Sequence, residues 1–334
     1  MTLSRWLRIL LWPASKLYGV GVSIRARFYA SGLLKQKRLN AAVISVGNLR
    51  FGGTGKTPLV IWLAEKLLAQ GHRVAVLTRG YRGTAGSSDE VELMRSRLKN
   101  RVIFGVGKNR FAEGRRIESH QAIDIFLLDD GFQHLELARD LDIVLIDASR
   151  PMAQSLLPAG PMREPLSALT RAGIIIFTRA ENTAGAKEAI QRLSNLPIFA
   201  ASTRLLGFRR IGSEVGSLQN LADLGSGPFF AFCGIGNPEA FERDLQRWGI
   251  MPAGHVFLAD HHRYTLEDVQ AIERAAATVG AKSLLTTEKD SWNLKDVHFR
   301  ALPVFVSVID LEITGEAEFL AAVNGAFQAR GGQA

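Results

Sequence analysis

Long, continuous apolar runs recur through the first two hundred residues and are separated by glycine-containing turns and amphipathic stretches. Strands of a parallel sheet are covered on both faces, so they read as unbroken apolar runs rather than as an alternation of apolar and polar positions. The stretch 57–71 has instead the spacing of a helix. The runs that predict strands are 41–48, 73–81, 101–105, 124–130, 142–148, 173–179 and 196–201. This pattern predicts a doubly wound α/β domain with a mostly parallel sheet.

A second, smaller α/β domain is predicted beyond residue 225, where apolar runs and helical stretches alternate again. One of its helical stretches opens with Thr265 and Asp268 in capping-box spacing. We therefore divide the chain into amphipathic N-terminal helices (1–40), a first α/β domain (41–205) joined by a C-terminal helix (312–334), a linker (206–224) and the smaller domain (225–311).

The N-terminal segment has a helical apolar stripe that charged residues interrupt. Its members are Leu3, Trp6, Leu7, Leu10 and Leu11, followed after Pro13 by Leu17, Val20, Ile24 and Phe28. Arg8, Lys16 and Arg25 leave no uncharged run long enough to span a membrane. Two interpretations stay open: helices docked on their own domain, or interfacial helices lying on anionic lipid. The aromatic residues and the one-sided charge favour the membrane surface.

The positive charge of the chain is concentrated near its N-terminus. The 334 residues carry a formal net charge of +9, and ten basic residues precede the first acidic one, Glu65. A nucleic-acid-binding protein would more naturally spread its basic residues over the folded body, so no nucleic-acid partner is expected. The apolar content of 47% is typical of a soluble globular protein. The single cysteine, Cys233, suits a reducing cytoplasm.

A glycine-rich loop, GNLRFGGTGKTP (47–58), links the first predicted strand to the first predicted helix. It differs from the common phosphate-binding pattern because Arg50 stands where that pattern has its first glycine. Its bare backbone N–H groups can still converge on an anion at a helix N-terminus. Lys56 can reach the β- and γ-phosphates, and Thr57 can ligate Mg²⁺. The predicted nucleotide-binding residues are Arg50, Phe51, Gly52, Gly53, Thr54, Gly55, Lys56 and Thr57.

Two adjacent carboxylates, Asp129 and Asp130, follow the apolar run of DIFLLDD. A phosphate-binding loop needs an acidic residue at the end of a neighbouring strand to hold Mg²⁺, and this pair meets that need. Asp147 lies at a similar strand end but lacks the paired carboxylate, so we interpret it as structural. The segment TTEKD (286–290) does not match the guanine-specific N-K-x-D pattern, which leaves ATP as the expected nucleotide.

Seven segments occur in a fixed order over residues 45–290: SVGNLRFGGTGKTP, TRGYRG, LLDDGFQHLELARDLDIVLID, LLPAGPMREPLSAL, FCGIGNPEAF, DHHRYT and LLTTEKD. Together they resemble the tetraacyldisaccharide 4′-kinase family of the lipid A pathway. The resemblance implies transfer of the γ-phosphate of ATP to the 4′-hydroxyl of a tetraacylated disaccharide 1-phosphate, giving lipid IVA. It also implies two α/β domains with the nucleotide between them, the smaller domain closing over it. We expect a monomer bound peripherally to the cytoplasmic face of the inner membrane, on anionic lipid.

The resemblance also implies roles for individual side chains. The general base corresponds to Asp89, with Glu90 beside it in SDEV, where Ser88 and Val91 replace the glycine and proline of the family's G-D-E-P motif. The first histidine of DHHRYT, His261, pairs with that base. In MREPL, Arg163 is expected to neutralise phosphate and Glu164 to contact the metal or substrate. Arg79 and Tyr81 in TRGY are expected to line the cleft.

The competing interpretation is a membrane-cycling ATPase switch, which has a similar loop but no lipid acceptor. Such proteins commonly carry a lysine just before the paired glycines, where this chain has Phe51. They also dimerise over nucleotide, whereas this chain has a second domain that could close instead. The sequence therefore favours the kinase.

Overall fold

The described chain divides into two units, each built on its own set of parallel strands. The structure is a computed structural model that describes residues 5–80, 88–150, 154–179, 196–212, 218–225 and 227–331. The first unit takes in the described residues within 1–81, 98–202 and 312–334. The second takes in those within 82–97 and 203–311.

A parallel sheet forms the centre of the first unit. Its strands are β1 (Ala42–Asn48), β2 (Val74–Thr78), β3 (Ile103–Val106), β4 (Ile125–Asp129), β5 (Leu141–Asp147), β6 (Ile174–Thr178) and the start of β7 (Ile198–Arg210). They lie in the order β3-β2-β4-β1-β5-β6-β7. Every residue of β1, β2, β4 and β6 is buried, which explains why unbroken apolar runs predicted these strands. The predicted doubly wound, mostly parallel α/β fold is confirmed.

Helices cover this sheet and extend from it. They are α1 (Arg5–Ala30), α2 (Lys56–Ala69), α4 (Arg110–Glu118) and α8 (Glu316–Gly331). The buried Phe319 of α8 packs on Trp62 of α2 and on Phe199 of β7, with ring centroids 5.8 and 5.3 Å apart. Lys66 and Glu316 form an ion pair between the same two helices. The C-terminal helix therefore contributes to the core of the first unit.

Helix α1 contacts the rest of the first unit through small and polar residues, and most of its apolar stripe stays exposed. Ser15 is buried and donates to the carbonyl of Leu156 at 2.7 Å. Gly19 is also buried, and a Cβ there would lie 2.6 Å from Leu156 Cδ1. The described members of the stripe that are exposed are Trp6, Leu7, Leu10, Leu17, Val20, Ile24 and Phe28. These members of the stripe are thus left on the surface. The segment, predicted as helices over 1–40, forms one helix over Arg5–Ala30 that continues through Pro13.

The second unit has its own parallel strands and helices. The strands are β8 (Phe229–Cys233), β9 (Gly254–Phe257), β10 (Ser283–Thr287) and most of β11 (Val304–Thr314), in the order β11-β10-β8-β9. The helices are α3 (Asp89–Leu98), α5 (Pro238–Arg247), α6 (Leu266–Thr278) and α7 (Glu288–Asn293). Thr265 and Asp268 form the capping box at the start of α6.

The boundaries between units differ from those predicted at two places. Residues 88–97 group with the second unit, although the sequence analysis assigned them to the first domain. The predicted linker 206–224 begins inside β7, which runs on to Arg210. Buried and partly exposed residues are mixed along this part of β7, so a search for continuous apolar runs ends at 201.

Candidate active site

The glycine loop connects the end of β1 to the first residue of α2, which is Lys56. Gly55 has a φ of 89° at the N-cap of α2, a left-handed conformation that glycine adopts without steric cost. The first N–H groups of a helix have no partner within the helix, and they favour a negatively charged ligand. The loop therefore has the backbone arrangement of a phosphate site.

Neighbouring strands hold the loop in place. Asn48 Nδ2 donates to Thr54 Oγ1 at 2.8 Å, and Thr178 Oγ1 donates to the Thr54 carbonyl at 3.0 Å. Arg179 donates to the carbonyl of Gly53 at 3.2 Å. Because these contacts come from the ends of β1 and β6, the sheet fixes the loop before any ligand binds.

The start of the loop explains why Arg50 replaces the usual glycine. Arg50 forms an antiparallel bridge with Met162, and the N–H of Phe51 donates to the Pro161 carbonyl at 2.9 Å. The backbone is therefore paired here rather than turning, and no left-handed residue is needed. The Phe51 ring is half-exposed and lies under the guanidinium of Arg163, 4.3 Å from its centroid.

A second glycine, Gly47 in β1, allows the segment that follows β4 to lie close to that strand. A Cβ on Gly47 would lie 2.5 Å from Phe132 Cβ and 2.8 Å from Phe132 N. Phe132 is fully buried and belongs to the segment that follows β4. The absence of a side chain at Gly47 thus allows the segment carrying Asp129 and Asp130 to pack against β1.

Lys56, Asp130 and Arg163 form a charged cluster next to the loop. Lys56 Nζ lies 3.4 Å from Asp130 Oδ1, and Arg163 Nη1 lies 2.8 Å from both oxygens of that carboxylate. Burial raises the pKa of Asp130, but the charges of Lys56 and Arg163 outweigh it and the pKa lies below its ordinary value. Asp130 has a φ of 51°, which is uncommon for a residue with a side chain.

Thr57 and Asp129 have the oxygen chemistry that Mg²⁺ prefers. Thr57 lies in the first turn of α2, and Asp129 is the buried last residue of β4, the strand paired with β1. Asp129 Oδ2 accepts a hydrogen bond of 3.0 Å from Thr78. Hydroxyl and carboxylate oxygens are hard ligands, and Mg²⁺ bound with a nucleotide usually takes only one or two from the protein. These residues fit the ion.

Glu164 is buried and paired with Arg171, whose Nη2 lies 2.7 Å from Glu164 Oε2. In the part of the chain that the structure describes, no three acidic, histidine or cysteine side chains form a group that could hold a metal. Glu164 therefore does not complete a three-carboxylate site with Asp129 and Asp130. Its contact with metal or substrate stays a prediction.

Arg79 lies at the exposed end of β2, and Tyr81 lies outside the described residues. Near Arg79 the structure adds Arg110, a buried first residue of α4 that the sequence analysis did not select. Burial and the charge of Arg79 lower the pKa of Arg110, while Asp130 and Asp129 act in the opposite direction. Arg110 ends the segment VGKNR, which directly follows the predicted strand 101–105. This position at the end of a strand is the sequence feature that could have identified Arg110 as a site residue.

The second unit brings Asp89 and His261 together. His261 Nδ1 lies 2.9 Å from Asp89 Oδ2 and 3.0 Å from Oδ1. Burial raises the pKa of Asp89, but the hydrogen bond from His261 and the charge of Lys289 more than offset it, so the pKa is lowered. The hydrogen bond with Asp89 raises the pKa of His261, against burial and Lys289. At neutral pH Asp89 is therefore ionised.

The SDEV segment folds as a helix start. Asp89 is the first residue of α3, and the N–H of Val91 lies 3.4 Å from Ser88 Oγ. The positive end of the helix dipole favours an ionised carboxylate at this position. Glu90 is partly exposed and lies 3.8 Å from Lys289 Nζ.

Two further side chains reach the Asp89 carboxylate, and the sequence analysis assigned neither of them to the site. Asn293 Nδ2 lies 3.3 Å from Asp89 Oδ2, and Lys289 Nζ lies 3.9 Å from the same atom. Lys289 stands inside LLTTEKD, where its place in a family motif was a usable signal. Asn293 carries no such signal.

A sequence model of the family described as tetraacyldisaccharide-1-P 4′-kinase matches residues 7–328. The chain belongs to this family. It is 37% identical to the tetraacyldisaccharide 4′-kinase of Geobacter sulfurreducens, over 95% of this chain and 92% of that one. It is 40% identical to the enzyme of the same name from Syntrophobacter fumaroxidans, over 85% and 79% of the two chains.

A solved structure extends the likeness to the fold. The crystal structure of LpxK from Aquifex aeolicus in complex with ATP is 29% identical in sequence, with a TM-score of 0.75. The match covers 96% of this chain and 99% of that one. The resemblance inferred from the motifs is thus confirmed, as is the kinase assignment against the ATPase switch. The roles of individual residues stay predictions.

Proposed function

We propose that the chain transfers the γ-phosphate of ATP to the 4′-hydroxyl of tetraacyldisaccharide 1-phosphate, forming lipid IVA. One observation carries the proposal: in a member of this kinase family, Lys56 at the start of α2 meets Asp130 after β4, 3.4 Å apart. A loop, a lysine and a strand-end carboxylate in this arrangement are what phosphoryl transfer from a nucleotide requires.

The first unit supplies charge stabilisation. The N–H groups of residues 52–57 and the ammonium of Lys56 bind the phosphates and offset the charge that spreads over their oxygens during transfer. Thr57 and Asp129 would hold Mg²⁺, which supplies further positive charge to the phosphates when bound. Arg163 holds Asp130 through two hydrogen bonds and so fixes the carboxylate beside Lys56.

The second unit supplies proton transfer. Asp89 is ionised, and as a general base it accepts the proton of the sugar hydroxyl while that oxygen attacks the phosphorus. His261 donates to Asp89 and orients its carboxylate. Asn293 donates to the same carboxylate and limits its rotation.

The exposed stripe of α1 supports a peripheral position on the membrane. Trp6 is 83% exposed and Leu10 is 75% exposed, which is unusual for a continuous apolar face. Within the described residues, no helix has the length and apolarity needed to cross a bilayer. An amphipathic helix with basic flanks instead lies in the interface of anionic lipid. We place the enzyme, as a monomer, on the cytoplasmic face of the inner membrane.

Transfer of label from γ-labelled ATP to the acylated disaccharide 1-phosphate in detergent micelles tests the function. We expect labelled lipid that depends on the acceptor. Label recovered only as free phosphate would support the ATPase switch instead.

Flotation with vesicles that contain anionic lipid tests the membrane position. Replacing Trp6 and Leu10 with glutamine should reduce the bound fraction because it removes exposed apolar area. Met251→Gln, at an exposed apolar residue of the second unit, is the matched control and should leave binding unchanged. Equal binding of both variants would contradict the role of α1.

A further inference from the structure

Lys289, in the first turn of α7, faces a group of carboxylates. Its Nζ lies 2.9 Å from Asp260 Oδ1, 3.8 Å from Glu90 Oε1 and 3.9 Å from Asp89 Oδ2. The Lys289 side chain is only 18% exposed, so these contacts are weakly screened by water. One ammonium thus lies within 4 Å of three carboxylates, of which one is the proposed base and two are its neighbours.

The same ammonium lies 3.3 Å from His261 Nε2. A lysine ammonium has donors and no acceptor, so this contact is a hydrogen bond only when Nε2 carries a lone pair. The other ring nitrogen, Nδ1, faces the oxygens of the ionised Asp89, which only accept. Asp89 therefore requires a proton on Nδ1, which the neutral ring and the imidazolium both carry, whereas the contact with Lys289 requires an unprotonated Nε2. Together the two contacts select the neutral ring with its proton on Nδ1.

We propose that Lys289 is a positioning residue for the phosphoryl transfer, and that it holds His261 in the neutral Nδ1–H tautomer so that Asp89 stays available as the base. The inference rests on the proposed function, because it takes Asp89 as the acceptor of the hydroxyl proton. It adds a residue that positions the base through His261; its Nζ also lies 3.9 Å from Asp89 Oδ2, where its charge lowers the pKa of Asp89 directly.

The physical consequence concerns the strength of the base. If His261 gains a second proton, Asp89 faces an imidazolium, which stabilises the carboxylate and makes it a weaker proton acceptor. The charge of Lys289 disfavours that second proton, because it lowers the pKa of His261 against the rise that the Asp89 hydrogen bond causes. Asp260, 3.8 Å from Nε2, acts in the opposite direction, and Lys289 lies directly against it.

The test combines the pH dependence of kcat with nitrogen NMR of labelled histidine in the full chain in micelles. His261→Gln assigns the His261 signals. In the wild type, at a pH above the raised pKa of His261, we expect a protonated Nδ1 and an unprotonated Nε2. Lys289→Met should move the acid limb of the kcat profile to higher pH and lower kcat at neutral pH by about 10-fold or more, part of the 10²–10⁴ that general base catalysis supplies. KM for ATP should change little.

Two variants complete the design. Lys289→Arg keeps the charge and should recover part of kcat and of the profile. Lys282→Met removes an exposed lysine elsewhere in the second unit and should behave as the wild type. A drop in kcat without a shifted acid limb would assign Lys289 a purely structural role and overturn the inference.

The NMR measurement on the wild type needs no variant to fold. A neutral His261 that carries its proton on Nε2 contradicts the inference even if the kinase is active. Conversely, if the wild type transfers no label to the lipid acceptor but shows the Nδ1–H form, it is the proposed function that fails.

Discussion

The phosphate loop of the first unit and the Asp89–His261 pair of the second are built in opposite ways. The loop and its lysine lie within one stretch of twelve residues, 47–58. His261 is 172 residues from Asp89 in sequence, and Asn293 is 204 residues away. A site built from neighbouring residues has a recognisable sequence pattern. A site whose residues are far apart in the chain has no such pattern, because only the fold brings its residues together.

The two regions nevertheless share one feature. Asp130 in the first and His261 in the second have φ values of 51° and 61°, in the left-handed region that residues with side chains rarely adopt. Such a conformation costs about 1–3 kcal/mol and persists only where the surroundings fix it. Arg163 fixes the Asp130 carboxylate, and the N–H of His261 donates to the Gly234 carbonyl at 3.1 Å.

The largest effect is expected in the assembled site. Asp89→Asn should lower kcat by about 10²–10⁴-fold, because an amide cannot accept the hydroxyl proton. Glu90→Gln is the matched control one residue away and should cost much less, since Glu90 lies 3.8 Å from Lys289 Nζ whereas Asp89 pairs directly with His261. The label-transfer assay measures both. Equal losses would mean that Asp89 is not distinguished as the base.

The local site should respond nearly as strongly. Lys56→Met should lower kcat by about 10²–10³-fold, because one charged donor to the transferring phosphate is lost. Lys66→Met lies on the same helix and removes a surface ion pair with Glu316 and a contact of the ammonium with the Trp62 ring, neither of them at the loop, so its kcat should stay within about twofold of the wild type. If Lys56→Met retains its activity, the loop is not the phosphate site.

The pKa values of two histidines, His134 in the first unit and His261 in the second, should be shifted in opposite directions. Burial and the nearby Arg110 lower the pKa of His134 to about 4, whereas Asp89 raises the pKa of His261 above its ordinary value of 6.5. A titration of both histidines followed by proton or nitrogen NMR, from below pH 4 to well above pH 6.5, checks the two shifts. A His134 signal that titrates near 6.5 would contradict the burial argument.

The two shifts have opposite consequences for stability. Between pH 6.5 and about 4, unfolded His134 binds a proton that the folded state does not, so the free energy of unfolding should fall by about 3 kcal/mol as pH decreases. The contribution of His261 is fully present below pH 6.5 and is lost as pH rises through its folded pKa. Denaturant unfolding of His134→Asn should show a flatter acid dependence than the wild type.

The smallest effect concerns the close packing of β1 against the segment that follows β4, at the contact between Gly47 and Phe132. Gly47→Ala should lower the free energy of unfolding by about 1–3 kcal/mol, because the new methyl group meets Phe132. Gly325→Ala in α8 is the control: nothing lies within 4 Å of its Cβ, and alanine favours the helix. Similar stability of the two variants would mean that the segment after β4 shifts easily.

How much the sequence could predict follows the same division. The parallel strands were readable because burial on both faces leaves continuous apolar runs, and the loop was readable because glycines, lysine and threonine stand together. Arg50 departs from the common phosphate-loop pattern, which has a glycine at this position. The reason, its extended pairing with Met162, appears only in the fold. Asp89 and His261 were found through ordered family motifs, since neither the carboxylate nor the imidazole is distinctive alone.

Other contacts could not be predicted from local patterns. Lys289 lies in the family segment LLTTEKD, but its place beside His261 depends on how α7 packs in the second unit. The small face of α1 was overlooked because the apolar stripe gave the stronger signal. A helix usually packs its apolar face inward, but here Ser15 and Gly19 contact Leu156 instead.

The hydroxyl of Tyr18 in α1 donates to the carbonyl of Arg163 at 2.9 Å, and the guanidinium of Arg163 in turn donates to the Asp130 carboxylate. A helix resting in the headgroup layer would therefore set the height of the nucleotide loop above the lipid. In the proposed membrane position, the sugar of the acceptor would have to rise out of the leaflet to a fixed level, while its acyl chains remained below.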